Sequence, residues 1–129
     1  MKLLNVGAGE ISDRLSILAL KILYARESGK DTAHFESEQA SLRAQIRSRT
    51  LNGKWFDGVL ELAAVNAAIW HGEDELRAWR VPRPTGYSPE DLVTIMDLAF
   101  HLQAMNDRRA ELIQTINKDA GDSDAKEKV

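Results

Sequence analysis

Apolar residues recur along the chain at helical spacing in four segments, and the breaks between them are short and polar. Residues 2–6 form a brief apolar stretch that reads as extended, and Gly7 and Gly9 interrupt the chain after it. Ile11, Leu15, Leu18, Ile22 and Ala25 then predict a helix over 10–28, with Gly29 as its C-terminal cap. Asp31 is placed to cap a second helix over 32–48. Its buried stripe is thin (Phe35, Leu42, Ile46), and Glu36, Glu38, Arg43 and Arg47 make a solvated face. Asn52-Gly53 reads as a turn. Val59, Leu62, Val65, Ile69, Leu76 and Trp79 mark a long helix over 55–80, with Trp55 and Phe56 as a core anchor at its start. Gly72 suits a kink or a close helix contact.

Pro82, Pro84 and Gly86 make 81–87 a loop. Ser88-Pro89-Glu90-Asp91 opens the last helix with a cap residue, proline at the first position and acids in the first turn. That helix spans 89–118 on the stripe Leu92, Ile95, Ala99, Leu102, Ile113 and Ile116. The pattern contains no strand-rich region and no repeat. It predicts an all-α fold, an elongated antiparallel bundle of about four helices, with one domain over 1–120 and a mobile polar tail over 121–129. A helix of roughly 26 residues is ~39 Å long, while a domain of this size has a radius of gyration near ~14 Å. Two such helices imply elongation, a kink or a covering partner, so self-association into a homo-oligomer is expected.

Composition narrows the field. The 129 residues contain no cysteine, which excludes disulfides, thiolate metal sites and a cysteine nucleophile. The net charge of −3 argues against a general nucleic-acid binder. The N-terminus lacks a signal-peptide core, and no apolar run approaches the ~20 residues of a membrane span. The expectation is a soluble, cytoplasmic protein that does not engage membranes.

Candidate chemistry lies where the apolar stripes are broken. Asn66, Trp70, Glu73 and Arg77 follow one another at steps of four, three and four, continuing the line of Val59 and Leu62, with Asp74 beside them. Asn106 and Arg109 fall between Leu102 and Ile113, flanked by Asp107. Glu10, Arg14, Ile17 and Lys21 share one side of the first helix, with Asp13 next to it. Groups this polar on a packed stripe must pair or line a cleft.

One reading is a register-fixing network in which Arg77 and Arg109 bridge to Glu73, Asp74 or Asp107. The other is a pocket between helices one, three and four. Trp70 would stack, Lys21, Arg77 and Arg109 would hold anionic groups, and Asn66 and Asn106 would read hydrogen-bonding edges, as suits a nucleotide or another anionic small molecule. No cofactor is required. A third reading pairs Glu10 with Asp13 and Glu73 with Asp74 around Mg²⁺, making an all-α nucleotide hydrolase. The residues favour binding without turnover. His34, His71 and His101 lack metal-ligand spacing. Gly7-x-Gly9 is too short for a dinucleotide fingerprint. Ser12 and Ser16 have no evident base partner, and Arg43, Arg47 and Arg49 read as a solvated basic run.

The same positions carry a resemblance. Gly9-Glu10-Ile-Ser-Asp13-Arg14-Leu-Ser16-Ile17-Leu18, Asn66-Ala-Ala-Ile69-Trp70-His-Gly-Glu73-Asp74, and Asn106-Asp107-Arg-Arg109-Ala110 with Ile116-Asn117 resemble three segments of a family of small uncharacterised helical proteins of bacteria and phages. Glu127-Lys128 resembles a further short element of that family. Arg14 stands where that family has lysine, and the proline-rich loop is longer. The resemblance implies an all-helical fold with Glu10, Asp13, Asn66, Trp70, Glu73, Asp74, Asn106, Asp107 and Arg109 in one site. It implies no particular activity, and hints at nucleotide-sugar or surface-polysaccharide biology.

Overall fold

A computed structural model describes residues 6–122. The start of the apolar stretch at residues 2–5, the polar tail beyond residue 122 and the Glu127-Lys128 pair lie outside the described residues. Four helices make up the fold: α1 (Ala8–Glu27), α2 (Ala33–Arg47), α3 (Gly53–Ala78) and α4 (Pro89–Asp119). The protein is an all-α helical bundle.

Local chemistry sets the helix ends. Ser88 Oγ accepts from Asp91 N–H, and the Asp91 carboxylate accepts from Ser88 N–H, each at 3.0 Å, so α4 opens with a reciprocal capping box. α3 begins two residues earlier than the stripe predicts, because Asn52 is its cap rather than part of a turn: Asn52 Oδ1 accepts from Trp55 N–H at 3.1 Å. At the end of α1, Gly29 adopts φ +70°. Its N–H donates to the Arg26 carbonyl, and Lys30 N–H donates to that of Ala25, the double closure that needs a left-handed residue.

α1 also starts two residues early, and Gly9 lies inside it rather than breaking it. A Cβ on Gly9 would collide with the backbone carbonyl of Ile113, so the glycine is what lets α1 lie directly on α4. Gly72 does the same between α3 and α4, where Leu102 fills the space a side chain would take.

α1, α3 and α4 pack against one another, α4 antiparallel to both; α2 packs on α1 alone. The arrangement is a three-helix core with a fourth helix laid on one of its members. Ile11, Leu18, Leu62, Leu112 and Ile116 are the buried centre, and Leu42 and Ile46 carry α2 into it. Trp55 packs against this core as expected, but its neighbour Phe56 is exposed. A second departure is larger. Leu92, expected on the buried stripe of α4, is 55% exposed, and Ala99 is exposed too. The cause is length: α4 has 31 residues against 20 for α1. At 1.5 Å per residue it outreaches α1 by about 16 Å, so its N-terminal half has only α3 beside it.

Candidate functional site

Asp13, on the second turn of α1, is the centre of the polar break in the core and is only 7% exposed. Arg109 of α4 grips it with both prongs: Nε donates to Oδ1 at 2.8 Å and Nη2 to Oδ2 at 2.6 Å. Asn66 of α3, also buried, donates through Nδ2 to Asp13 Oδ1 at 2.9 Å and to Ser16 Oγ at 2.6 Å. The Ser16 hydroxyl donates to the Asp13 carbonyl at 2.8 Å. A carboxylate this deep needs hydrogen-bond partners for both oxygens, and the planar fork of arginine is the group that supplies two at once. Asp13 in return holds the Arg109 pKa above its ordinary value, chiefly through the hydrogen bonds. One residue from each of α1, α3 and α4 thus meets at a single point. No buried side-chain nitrogen or oxygen among the described residues lacks a partner.

A cleft of about 300 Å³ opens beside this cluster. Ile17 and Leu20 of α1 and Ile69 of α3 form its apolar wall; Asn66, Trp70, Glu73 and Arg77 of α3 and Arg109 of α4 complete it. The Trp70 ring lies nearly parallel to Tyr24, with centroids 5.4 Å apart, which fixes the indole. The Tyr24 hydroxyl is 3.3 Å from His71 Nε2. Arg77 pairs with Asp74 across one turn, and both side chains are more than half exposed. Glu73 makes no ion pair among the described residues.

The structure brings together only part of the set expected from sequence. Asp13, Asn66, Trp70, Glu73, Arg77 and Arg109 meet at the cleft or directly behind it. Lys21 does not: its ammonium sits 5.6 Å above the Phe35 ring of α2, on another side of α1. Asp74 is on the rim, held by Arg77. Asn106 is exposed and donates to the Leu102 carbonyl of its own helix, and Asp107 is exposed as well.

Glu10 belongs to a separate cluster at the start of α1. Both its carboxylate oxygens accept from Asn117 Nδ2, at 2.9 and 2.7 Å, and Oε1 also accepts from Gly7 N–H. Asn117 Oδ1 accepts from Gly9 N–H at 2.7 Å. Asp122 accepts from Ala8 N–H and pairs with Arg49, so Arg49 of the expected solvated run is engaged at the helix start. These contacts satisfy free N–H groups of the first turn and tie the start of α1 to the end of α4. Glu10 also borders a larger hollow of about 830 Å³ between α1 and α2, where Arg14 is committed to Glu38 by two hydrogen bonds.

Tyr24 has no place in the sequence reading, and Asn117 enters it only through the motif resemblance, without a role. Tyr24 continues the line Glu10, Arg14, Ile17, Lys21 at a further step of three, and Asn117 continues Arg109 and Ile113 at a further step of four. Both were marked by the periodicity already in use. The pairing of Arg109 with Asp13, rather than with Asp107, has no such mark.

The acidic side chains expected in pairs are engaged within the protein, Glu73 excepted. Both Asp13 oxygens are occupied by Arg109 and Asn66, Glu10 is held by Asn117, and Asp74 by Arg77. Among the described residues no three His, Asp or Glu side chains gather to hold a metal ion. None of the described helices is long and apolar enough to cross a membrane. No protein-family model, curated protein or solved structure matches the chain.

Proposed function

We propose that this protein binds a small, partly anionic ligand of nucleotide-like shape in the cleft between α1, α3 and α4, without turning it over. The observation that carries the reading is the convergence of Trp70, Glu73, Arg77 and Arg109 on one hollow of about 300 Å³, the lower end of the range for small-molecule sites. Trp70 offers a planar apolar surface. Glu73 accepts hydrogen bonds from ligand hydroxyl or amino groups. Arg77 is the mobile cation: an exposed pair such as Arg77–Asp74 has a net worth of about 0–1 kcal/mol, so an anionic ligand group displaces Asp74 at little cost. Arg109 keeps N–H donors beyond those given to Asp13 and adds orientation rather than net charge. The motif resemblance includes Trp70, Glu73 and Arg109 of these four, but not Arg77.

The complete internal pairing of Asp13, Asn66 and Ser16 favours a second reading, a helical interaction protein whose polar centre only fixes helix register. A thermal-shift screen of nucleotides and nucleotide sugars, with and without Mg²⁺, separates the two. Ligand at a hundredfold excess over its dissociation constant stabilises by about 2.7 kcal/mol, a shift of several degrees for a domain of this size. The expected result is a metal-independent shift, lost in Trp70→Ala and in Arg77→Ala, both with unchanged helix content. A flat response across the panel defeats the ligand reading and leaves the structural one.

A further inference from the structure

Asn66 keeps one hydrogen-bonding atom that the fold does not use. The residue is only 4% exposed. Both hydrogens of its Nδ2 are spent, one on Asp13 Oδ1 and one on Ser16 Oγ. This fixes which way the amide points, since the reverse orientation sets its oxygen against the Asp13 carboxylate. That oxygen, Oδ1, meets no donor among the described residues. No fully buried side-chain oxygen among them lacks a partner, so Oδ1 reaches solvent, and Asn66 lines the cleft between α1, α3 and α4. Arg109 stands beside it, because both donate to Asp13 Oδ1. The side-on fork of Arg109, Nε with Nη2, is committed to that carboxylate. Its end-on fork, a hydrogen of Nη1 with the second hydrogen of Nη2, makes no hydrogen bond among the described residues, and Arg109 lines the same cleft. A rigid acceptor and a rigid pair of donors thus stand next to each other where a ligand enters.

We propose that the ligand of the cleft is a 6-oxopurine nucleotide and that Asn66 and Arg109 read its base. The proposal rests on the ligand reading above and adds the identity of the base to it. A 6-oxopurine carries N1–H, O6 and N7 in that order along one edge. Asn66 Oδ1 accepts from N1–H, and the free fork of Arg109 donates to O6 and N7, the pairing arginine makes with this kind of base. Adenine fits worse. It sets an amino group where the Arg109 cation needs an acceptor, and the pairing of asparagine with adenine uses an amide N–H as well as the oxygen. Asn66 has no such N–H left. Uracil offers the N–H and the carbonyl but no second acceptor beside them. The rest of the lining follows in order along α3: Trp70 lies one turn beyond Asn66, Glu73 one turn further and Arg77 one further still. Base, sugar hydroxyls and phosphate are therefore met in the order in which a nucleotide carries them.

The decisive changes are made in the ligand, because altering Asn66 or Arg109 also disturbs Asp13. Inosine and adenosine monophosphates differ only at the edge in question. Titration calorimetry on the full chain should show inosine and guanosine monophosphates binding at least tenfold more tightly than adenosine monophosphate, as a polar site discriminates when a mismatch leaves its groups unpaired. The N1-methyl derivative of inosine monophosphate, which lacks the N1–H, should lose tenfold or more. Ribose 5-phosphate, which has no base, should not bind measurably. Arg109→Lys, which keeps a cation beside Asp13 but removes the fork, should abolish the preference for inosine over adenosine monophosphate with circular dichroism unchanged. Equal binding of inosine and adenosine monophosphates, or an N1-methyl group that costs nothing, overturns the assignment of the base while the ligand reading stands. Absence of binding by every nucleotide tested removes the ligand reading itself, and this proposal with it.

Discussion

Asp13 and Arg109 form an ion pair inside the interface of α1 and α4, and their surroundings decide what each is worth. The Asp13 side chain is 10% exposed and that of Arg109 32%. Removing the cation leaves a carboxylate with only Asn66 in a place water barely reaches, and losing one partner of a buried pair costs about 3 kcal/mol or more. Arg109→Ala should therefore lower the urea-unfolding free energy by about 3 kcal/mol. Asp13→Leu with Arg109→Met should recover most of that loss, because apolar replacements of similar volume carry no desolvation penalty. A cost below 1 kcal/mol for Arg109→Ala would show the pair to be solvated. Asp13 and Arg109 stand out in the sequence as breaks in apolar stripes, yet their partnership is illegible there. Arg109 has Asp107 two residues away and Glu111 two residues beyond, and only the way α1 crosses α4 at Gly9 selects Asp13.

That crossing is a property of two elements, and glycine geometry controls it. Gly9 lies within the first turn of α1, where its missing side chain lets the helix touch the Ile113 carbonyl. The same absence exposes its N–H to Asn117 Oδ1. Gly9→Ala must push the helices apart against backbone, breaking that bond and the Asn117–Glu10 contacts, and should destabilise by about 2–4 kcal/mol, in the range of core overpacking plus a lost buried bond. Gly53, the first residue of α3, is the control: a Cβ there meets nothing within 4 Å and its φ is not positive. Gly53→Ala should raise stability by about 0.5 kcal/mol through the unfolded chain alone. Thermal or urea unfolding of the two variants checks both, and equal effects would defeat the account. Helices α2 and α4 are legible to within a residue or so: cap and stripe coincide at Ser88 and Pro89, while the cap of α2 falls on Thr32, one residue after the expected Asp31, whose carboxylate instead accepts from Ala33 N–H. Gly9 was misread as a breaker, since a glycine that ends a helix and one that admits a neighbour look alike in one dimension. Leu92 was misread as core for the same reason: a stripe records that a face is apolar, not whether this chain or another surface covers it.

At the scale of the whole molecule the helices are unequally held. α1 packs on all three other helices, and α3 and α4 each on two, but α2 packs on α1 alone. It is fastened by Phe35, Leu42 and Ile46 and by three contacts from charged α1 side chains: Arg14 with Glu38, Arg26 with Glu36, and Lys21 over Phe35. An element with one packed face opens before the rest, so α2 should exchange its amide hydrogens through a local opening that leaves α3 and α4 protected. Acid should favour that opening. The hydrogen bonds from Arg14 lower the Glu38 pKa when α2 is docked. Undocked, the carboxyl returns to its ordinary value near ~4.3 and binds a proton more readily. The stabilisation is therefore complete above that value and is lost as pH falls through the lower docked one. As the pH falls below the ordinary carboxyl value of ~4.3, protection factors over Ala33–Arg47 should drop further than those of α3, and Glu38→Gln should remove the extra drop. Uniform protection across the four helices at neutral pH would mean that α2 opens only with the whole molecule. A drop unchanged in Glu38→Gln would assign the acid sensitivity to other carboxylates.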